Sequence, residues 1–486
     1  MVEPSLRNKT VSGIGWSAAD AILGQGVTFL VGIVLARLLS PTEYGLIGII
    51  SIFIVVLNGI VDSGFSNAII RKQDATDEDY NTMFFTNLLF SVVLYIGLYF
   101  LAPVIATFFE REQLIALTRA MGLILIINAL SITQVTILTK KVDFKTKTKA
   151  SLTSAIISGI VGIILAYLGL GVWSLVAQQL TKQLLYTLCL WVLNKWIPTC
   201  TFSKQSFKYM WGFGWKLLLS GLLNNIWNQL YQVVVGKFYS PATLGQYSRS
   251  KEYANILSSN FTMIIQRVSY PVLSALQDDK ERMIYGYRKI IKITMFVTAI
   301  SMIFMGAVAE PLIYCLIGPQ WHEAATYLPL ICISMSLYPL HAINLNMLQV
   351  QGRSDIFLIL EIIKKIIAIG PICLGIFVNI KCMLVGSIIT GLLSFFLNSY
   401  YTGKKLHYTS WMQLRDIAPS YIVALCMAIS VYFIKLLPLS FFIILPIQIV
   451  VGIGVGIIIC KIGRISEYND LRQIVVDKIS DYKKHK

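Results

Sequence analysis

The chain has 486 residues, of which 56% are hydrophobic and only 13% charged, and it carries a formal net charge of +17. No soluble domain of this size is so poor in charge, so a soluble fold is excluded; long apolar runs recurring from Val11 to Cys460 specify a polytopic helical membrane protein. The cationic excess lies in short loops and the tail, where it is a topology signal and not a nucleic-acid footprint.

Continuous helices satisfy their own backbone in lipid, and no alternating strand pattern competes with them, so the expected class is all-α. The start, MVEPSLRNKT, is short and polar and leads into a run of ordinary spanning length without a small-residue cleavage site. It reads as a cytoplasmic start and not as a signal peptide. At about 20 residues per span, the predicted spans are 13–37, 46–68, 82–106, 114–138, 150–169, 172–193, 212–236, 246–270, 291–315, 325–348, 356–378, 382–402, 417–436 and 440–460. With the N-terminus in the cytoplasm, internal segments hold 28 of the 41 Lys and Arg residues, and external loops hold 5 (Arg37, Arg111, Lys237, Lys381 and Lys435). One missed span would invert everything after it. The asymmetry therefore argues for about 14 transmembrane helices with both termini cytoplasmic.

The hairpin that ends span one, Ala36 to Gly45 (ARLLSPTEYG), recurs without gaps 200 residues later as Gly236 to Gly245 (GKFYSPATLG). Ser40 and Ser240 are predicted N-caps, Pro41 and Pro241 first-turn residues, and Ser40 and Glu43 have capping-box spacing. An even number of spans separates the copies, so both enter the membrane in the same direction. That is a parallel repeat about an axis normal to the membrane. Gly15-Trp16 and Gly214-Trp215 echo each other, as do Lys141-Val-Asp143 and Arg353-Ser-Asp355. The expected architecture is two six-helix lobes related by a parallel pseudo-two-fold, 1–210 and 211–403. Residues 404–486 add two C-terminal helices and a charged cytoplasmic tail.

The eight cysteines show no CxxC or metal spacing, and the four histidines no ligand pattern. They predict no metal and no cofactor. Cys373 and Cys382, which bracket one short external loop, are the single place where a disulfide is considered. Gly452, Gly454 and Gly456 imitate part of a nucleotide fingerprint, but no strand precedes them and they read as helix-packing glycines. No Walker motif is present, so no ATP hydrolysis and no catalytic residue is expected.

Several motifs in order along the chain resemble one family. They are the Arg37–Gly45 hairpin, Asp62–Phe65 with Ala68 and Arg71, the basic loop Lys140–Phe144, and Gly169–Val176 (GLGVWSLV). Tyr270-Pro271 with Ser274 and Gln351–Asp355 match less tightly, and Thr243 and Leu244 replace the Glu43 and Tyr44 of the first hairpin. The chain resembles Wzx-type polysaccharide flippases of the multidrug/oligosaccharidyl-lipid/polysaccharide exporter superfamily. The resemblance implies two lobes facing a central cavity in the bacterial inner membrane. It implies transport of an undecaprenyl-pyrophosphate-linked oligosaccharide from the cytoplasmic to the periplasmic leaflet. Its implied partners are that lipid-linked substrate and the bilayer, with polysaccharide polymerase machinery as a further candidate; nucleic acid is not among them. The rival within the superfamily is a cation-coupled small-molecule or drug exporter. A membrane polymerase or ligase would need an external catalytic loop, and the external loops here are short.

A pyrophosphate and its sugars need a polar, preferably cationic route across about 30 Å of hydrocarbon. Span seven carries Lys216 near its start, and Asn225, Asn228, Gln229 and Gln232 at i, i+3, i+4, i+7 on one face. Span eight carries Arg249, Lys251, Glu252 and Asn255, with Ser258 or Ser259 on the face of Lys251, and Arg267 near its inner end. Polar stripes on two adjacent spans read as a cavity wall, against the alternative of interhelical glue. Amides would bond sugar hydroxyls and Arg would take phosphate bidentately. Asp20, deep in span one, is the ion-coupling candidate, because a charge there must be protonated, paired or ion-bound. Asp62 is expected to make a helix-terminus hydrogen bond or an interlobe latch. Glu361 and Lys365 are expected to pair at i, i+4, and Arg119 and Lys182 to act as anchors or interlobe partners.

Overall fold

Ser40 opens a helix as its spacing predicts. The Glu43 carboxylate accepts the Ser40 N–H at 2.6 Å while Glu43 N–H reaches the Ser40 hydroxyl, and Pro41 occupies the first turn. Thr76 and Asp79 build a second such box, and at the repeat copy Thr243 N–H donates to Ser240 Oγ at 3.1 Å. These caps set the frame of a computed structural model that describes residue 16 and residues 23–276 and 278–484.

Among the described residues every regular element is helical. The first eight helices are α1 (Gln25–Leu38), α2 (Pro41–Asp62), α3 (Phe65–Arg71), α4 (Asp77–Phe109), α5 (Leu114–Lys140), α6 (Phe144–Tyr167), α7 (Val172–Asn194) and α8 (Lys204–Phe238). α9 (Pro241–Ala275), α10 (Lys280–Ala307), α11 (Ala309–Ile317), a 3-10 turn (Pro319–Trp321), α12 (His322–Met335), α13 (Tyr338–Val350), α14 (Ser354–Ile367) and α15 (Ile369–Phe377) follow. α16 (Ile380–Leu406), α17 (Ser410–Lys435), α18 (Phe441–Ile462) and α19 (Ser466–Lys484) complete the chain. Nine described helical segments are long and apolar enough to cross a membrane. The other predicted spans coincide with helices that are short (α1), interrupted (α14 with α15) or rich in polar residues (α7, α8 and α9). The protein is an all-α membrane protein.

The chain divides into two compact units, residues 1–245 and 246–486. In the first, α4, α5 and α7 pack on one another, α6 lies on α7 and α1, and α2 runs along α8. Glycines sit at both ends of the α2–α8 contact. Ser63 and Gly64 take left-handed conformations that break α2 from α3, and a Cβ on Gly214 would lie 2.5 Å from Ser63 O. At the Ser-Pro end, a Cβ on Gly45 would lie 1.7 Å from Pro241 O, and one on Gly245 would lie 1.9 Å from Pro41 O. The two copies of the repeated hairpin thus touch reciprocally through their glycines. Beside them Lys237 Nζ pairs with Glu110 at 2.9 Å and holds that exposed carboxylate below its ordinary range. At the opposite end Lys72 pairs with the buried Asp79 at 2.8 Å. There the linker to α8 is pinned by Asn81, whose Nδ2 donates to Thr199 and Thr201 at 2.6 and 2.8 Å.

In the second unit α10 packs on α17 and α12, and α18 on α17. A buried network ties α10, α13, α16 and α17: Tyr287 OH donates to Asn344 Oδ1, Thr402 Oγ1 donates to the same oxygen at 3.1 Å, and Asn344 Nδ2 donates to Gln413 at 3.2 Å. Arg288 grips Asp416 bidentately at 2.9 Å, and Tyr408 OH adds a bond of 2.7 Å. α19 docks on α10 through Lys289–Asp470 and Lys292–Glu467 at 3.1 and 2.8 Å. Tyr468 and Leu471 pack there against the cluster around Phe296 and Met427.

Two sequence expectations, on span continuity and on the partner of Glu361, are corrected here. Spans 291–315, 325–348 and 356–378 are not continuous rods. Helices break at Val308, at Ser336–Leu337 and at Ala368, and each break is followed within three residues by Pro311, Pro339 or Pro371. Proline fits a first turn but not a helix interior, so it sets the restart. Cys373 and Cys382 are free thiols. Glu361 pairs with Lys364, three residues on, and not with Lys365.

Candidate functional site

The polar stripe of α8 keeps its surface. Asn228 is exposed, and Asn225, Gln229 and Gln232 are half-buried. Asn225 reaches α2: a Cβ on Gly59 would come 2.9 Å from its Nδ2. Gln229 Oε1 is buried and makes no hydrogen bond among the described residues. Lys216, two residues from the glycine contact at Gly214, is exposed, with its ammonium 6.0 Å from the Trp215 ring.

The first unit contributes more polar groups than the sequence reading named. Asn128 Nδ2 on α5 donates to Asn58 Oδ1 on α2 at 2.9 Å, and Gln183 Nε2 on α7 donates to Asn128 Oδ1 at 3.2 Å. Ser131 Oγ donates to Asn128 O at 2.8 Å. Lys182, next to Gln183, donates to Thr28 Oγ1 on α1 at 3.3 Å, which makes it an intra-unit tie. The i, i+3, i+4 run Gln179, Lys182, Gln183 was the signal for α7. Arg119 is an anchor in the same unit, stacked 4.1 Å from the centroid of the Tyr99 ring. Asp62 makes the helix-terminus bond: its Oδ1 accepts from Ser66 Oγ at 2.5 Å and from Ser66 N at 3.3 Å, at the start of α3.

In the second unit α9 has two faces. Gln246, Ser250 and Ser258 button it to α12. Gln246 Oε1 accepts Ala324 N–H at 2.9 Å, Ser250 donates to Ala324 O at 2.8 Å, and Ser258 to Met335 O at 3.2 Å. Ser258, seven residues on from Lys251, is buried against α12, and Ser259 is half-buried. Lys251 is half-buried and Asn255 exposed. Arg249 is buried and paired with Glu252 at 2.7 Å. Arg267 lies within α9, but its side chain, like the whole of Asp20, is outside the described residues. Among the described residues no group of three or more His, Cys, Asp or Glu is arranged to hold a metal.

The described residues thus form an all-helical, multi-pass membrane protein with half-open polar faces. A family described as "Polysaccharide biosynthesis protein" matches residues 34–326, and the chain belongs to it. It is 25% identical to the succinoglycan biosynthesis transport protein ExoT of Rhizobium meliloti (strain 1021), over 76% of each chain. It is 26% identical to the teichuronic acid biosynthesis protein TuaB of Bacillus subtilis (strain 168), over 73% of this chain and 74% of that one. Identity to the lipopolysaccharide biosynthesis protein WzxC of Escherichia coli (strain K12) is 22% over 76% of each. Among solved structures, the lipid II flippase MurJ in an inward closed conformation matches with a TM-score of 0.70 at 17% identity, covering 95% of this chain and 99% of that one. An inward-facing MATE family multidrug transporter matches at 0.58 and 16% identity, over 80% of this chain and 99% of that one. At these identities the structures share the fold.

Proposed function

We propose that this protein flips undecaprenyl-pyrophosphate-linked oligosaccharide repeat units from the cytoplasmic to the periplasmic leaflet of the bacterial inner membrane, with both termini cytoplasmic. The observation that carries the reading is the partly open polar face of α8, Asn225, Asn228, Gln229 and Gln232. Relatives named for succinoglycan, teichuronic acid and lipopolysaccharide biosynthesis support it. In this reading Lys216, Lys251 and Arg267 attract the pyrophosphate. Arg249, already paired with Glu252, sets the local field. Asn255 and the α8 amides bond sugar hydroxyls, and Asp20 couples an ion. The lobes 1–210 and 211–403 alternate between access to one side of the membrane and to the other, and differential contacts in the two states set the direction together with a gradient or product removal. The delivered unit then meets polysaccharide polymerase machinery.

The MATE likeness favours one second reading, a cation-coupled small-molecule exporter. Deletion in the native host separates the two. The flippase reading predicts loss of surface glycan and accumulation of complete, unpolymerised lipid-linked repeat units on the cytoplasmic side. Normal glycan with no accumulated intermediate, in a host lacking a redundant flippase, would contradict it.

A further inference from the structure

We propose that Asn58, Asn128 and Gln183 form a sugar-reading subsite in the first unit, which selects the oligosaccharide independently of the pyrophosphate; it rests on the flippase reading. Three amides from α2, α5 and α7 meet in a chain, Gln183 to Asn128 to Asn58, at 3.2 and 2.9 Å. Asn128 is the hub and spends both amide atoms within it. Whichever way the outer amides are turned, Asn58 and Gln183 each keep one amide atom outside the chain. Those atoms, Asn58 Nδ2 and Gln183 Oε1, bond no described residue, and neither is among the sealed buried atoms. One is a donor and the other an acceptor.

Amides that serve only to hold helices together consume their bonding groups and are closed off from the surroundings. Here a donor and an acceptor are left open on half-buried residues, Asn58 on a helix long and apolar enough to cross a membrane and Gln183 on a helix packed against it. Facing lipid, each would forfeit its hydrogen bonds. The chemistry that suits the pair is neutral and polyhydroxylated, because each sugar hydroxyl both donates and accepts. Lys182, next to Gln183 in the chain, donates to Thr28 on α1, and the three amides carry no charge, so the subsite suits hydroxyl or acetamido groups and not phosphate. Asn225, which lies over Gly59 next to Asn58, continues the amide surface onto α8.

The test uses the full chain in proteoliposomes, with Asn58→Ala, Gln183→Ala and the double variant, leaving the hub intact. Two probes are compared, the native lipid-linked repeat unit and undecaprenyl pyrophosphate bearing a single sugar. The subsite predicts a fall of about tenfold in repeat-unit translocation for the double variant, one or two hydrogen bonds' worth, with single-sugar lipid moved at the wild-type rate. Gln183→Asn, which shortens the reach and keeps the amide, is expected to fall in between. An equal loss for both probes with a lowered melting temperature, or no loss for either, would overturn the subsite while leaving the flippase reading intact. Wild-type protein that moves neither probe would instead overturn the flippase reading, and the subsite with it.

Discussion

Asn87 on α4 is fully buried, and neither atom of its amide bonds any described residue. A buried amide without partners costs about 1–3 kcal/mol. Asn87→Leu, which keeps the branching and the number of heavy atoms, is therefore expected to raise the melting temperature in detergent, and a lowered one would show that the amide is engaged or the site too tight for two methyl groups. Lys216 is exposed, so Lys216→Gln should leave that temperature unchanged; Lys251 is half-buried and is replaced by Gln to keep a polar side chain there. Each should reduce translocation of the lipid-linked unit about tenfold or more, the scale of one lost charge-assisted bond; unchanged transport in the double variant would remove the cations from the mechanism. At this scale the sequence was legible where a pattern repeats within one helix. The i, i+3, i+4, i+7 amides of α8 showed their shared face without any tertiary knowledge. Asn58 and Asn128 did not, because a single Asn in a span has no periodicity and its meaning comes from the helix it meets. On α9 the sequence left Ser258 and Ser259 as alternatives beside Lys251, and the Ser258 bond to Met335 O comes from packing that no periodicity shows.

Elements are held by their ends. Ser40→Ala removes one side of a capping box and should lower stability by about 1 kcal/mol, a shift readable as a melting temperature. Gly45→Val or Gly245→Val places a side chain onto a proline carbonyl, and each should destabilise by about 1–3 kcal/mol. Since both act at one seam, the double variant should fall short of the sum; full additivity would mean that the reciprocal contact is not shared. α19 offers a different check. Lys292→Glu should expose the tail to protease, and adding Glu467→Lys should restore protection; no restoration would mean that the helix is held by Tyr468 and Leu471 alone. The serine-proline starts of α2 and α9 were readable in advance, whereas α8 and α10 begin at Lys204 and Lys280, well before the predicted spans. The breaks at Val308 and Ala368 were missed because the apolar run continues through them, and hydrophobicity alone does not register a proline that restarts a helix inside a span.

At the scale of the whole molecule, the all-α class followed from composition, since a chain with 13% charge and recurrent long apolar runs has few other solutions. The repeat was legible as two aligned hairpins. The structure adds that their glycines meet each other, which an offset of 200 residues does not say. What the sequence left open is which polar groups share a surface, because those groups come from helices far apart in the chain. The most direct measurement is therefore made on the intact protein. It is purified, reconstituted into liposomes carrying lipid-linked repeat units in both leaflets, and the fraction reached by a membrane-impermeant sugar oxidant is followed over time. A flippase predicts that the protected half becomes reactive at a rate proportional to the protein present. Protection as long-lived as in protein-free liposomes, with the protein folded and any required ion gradient imposed, would contradict the account.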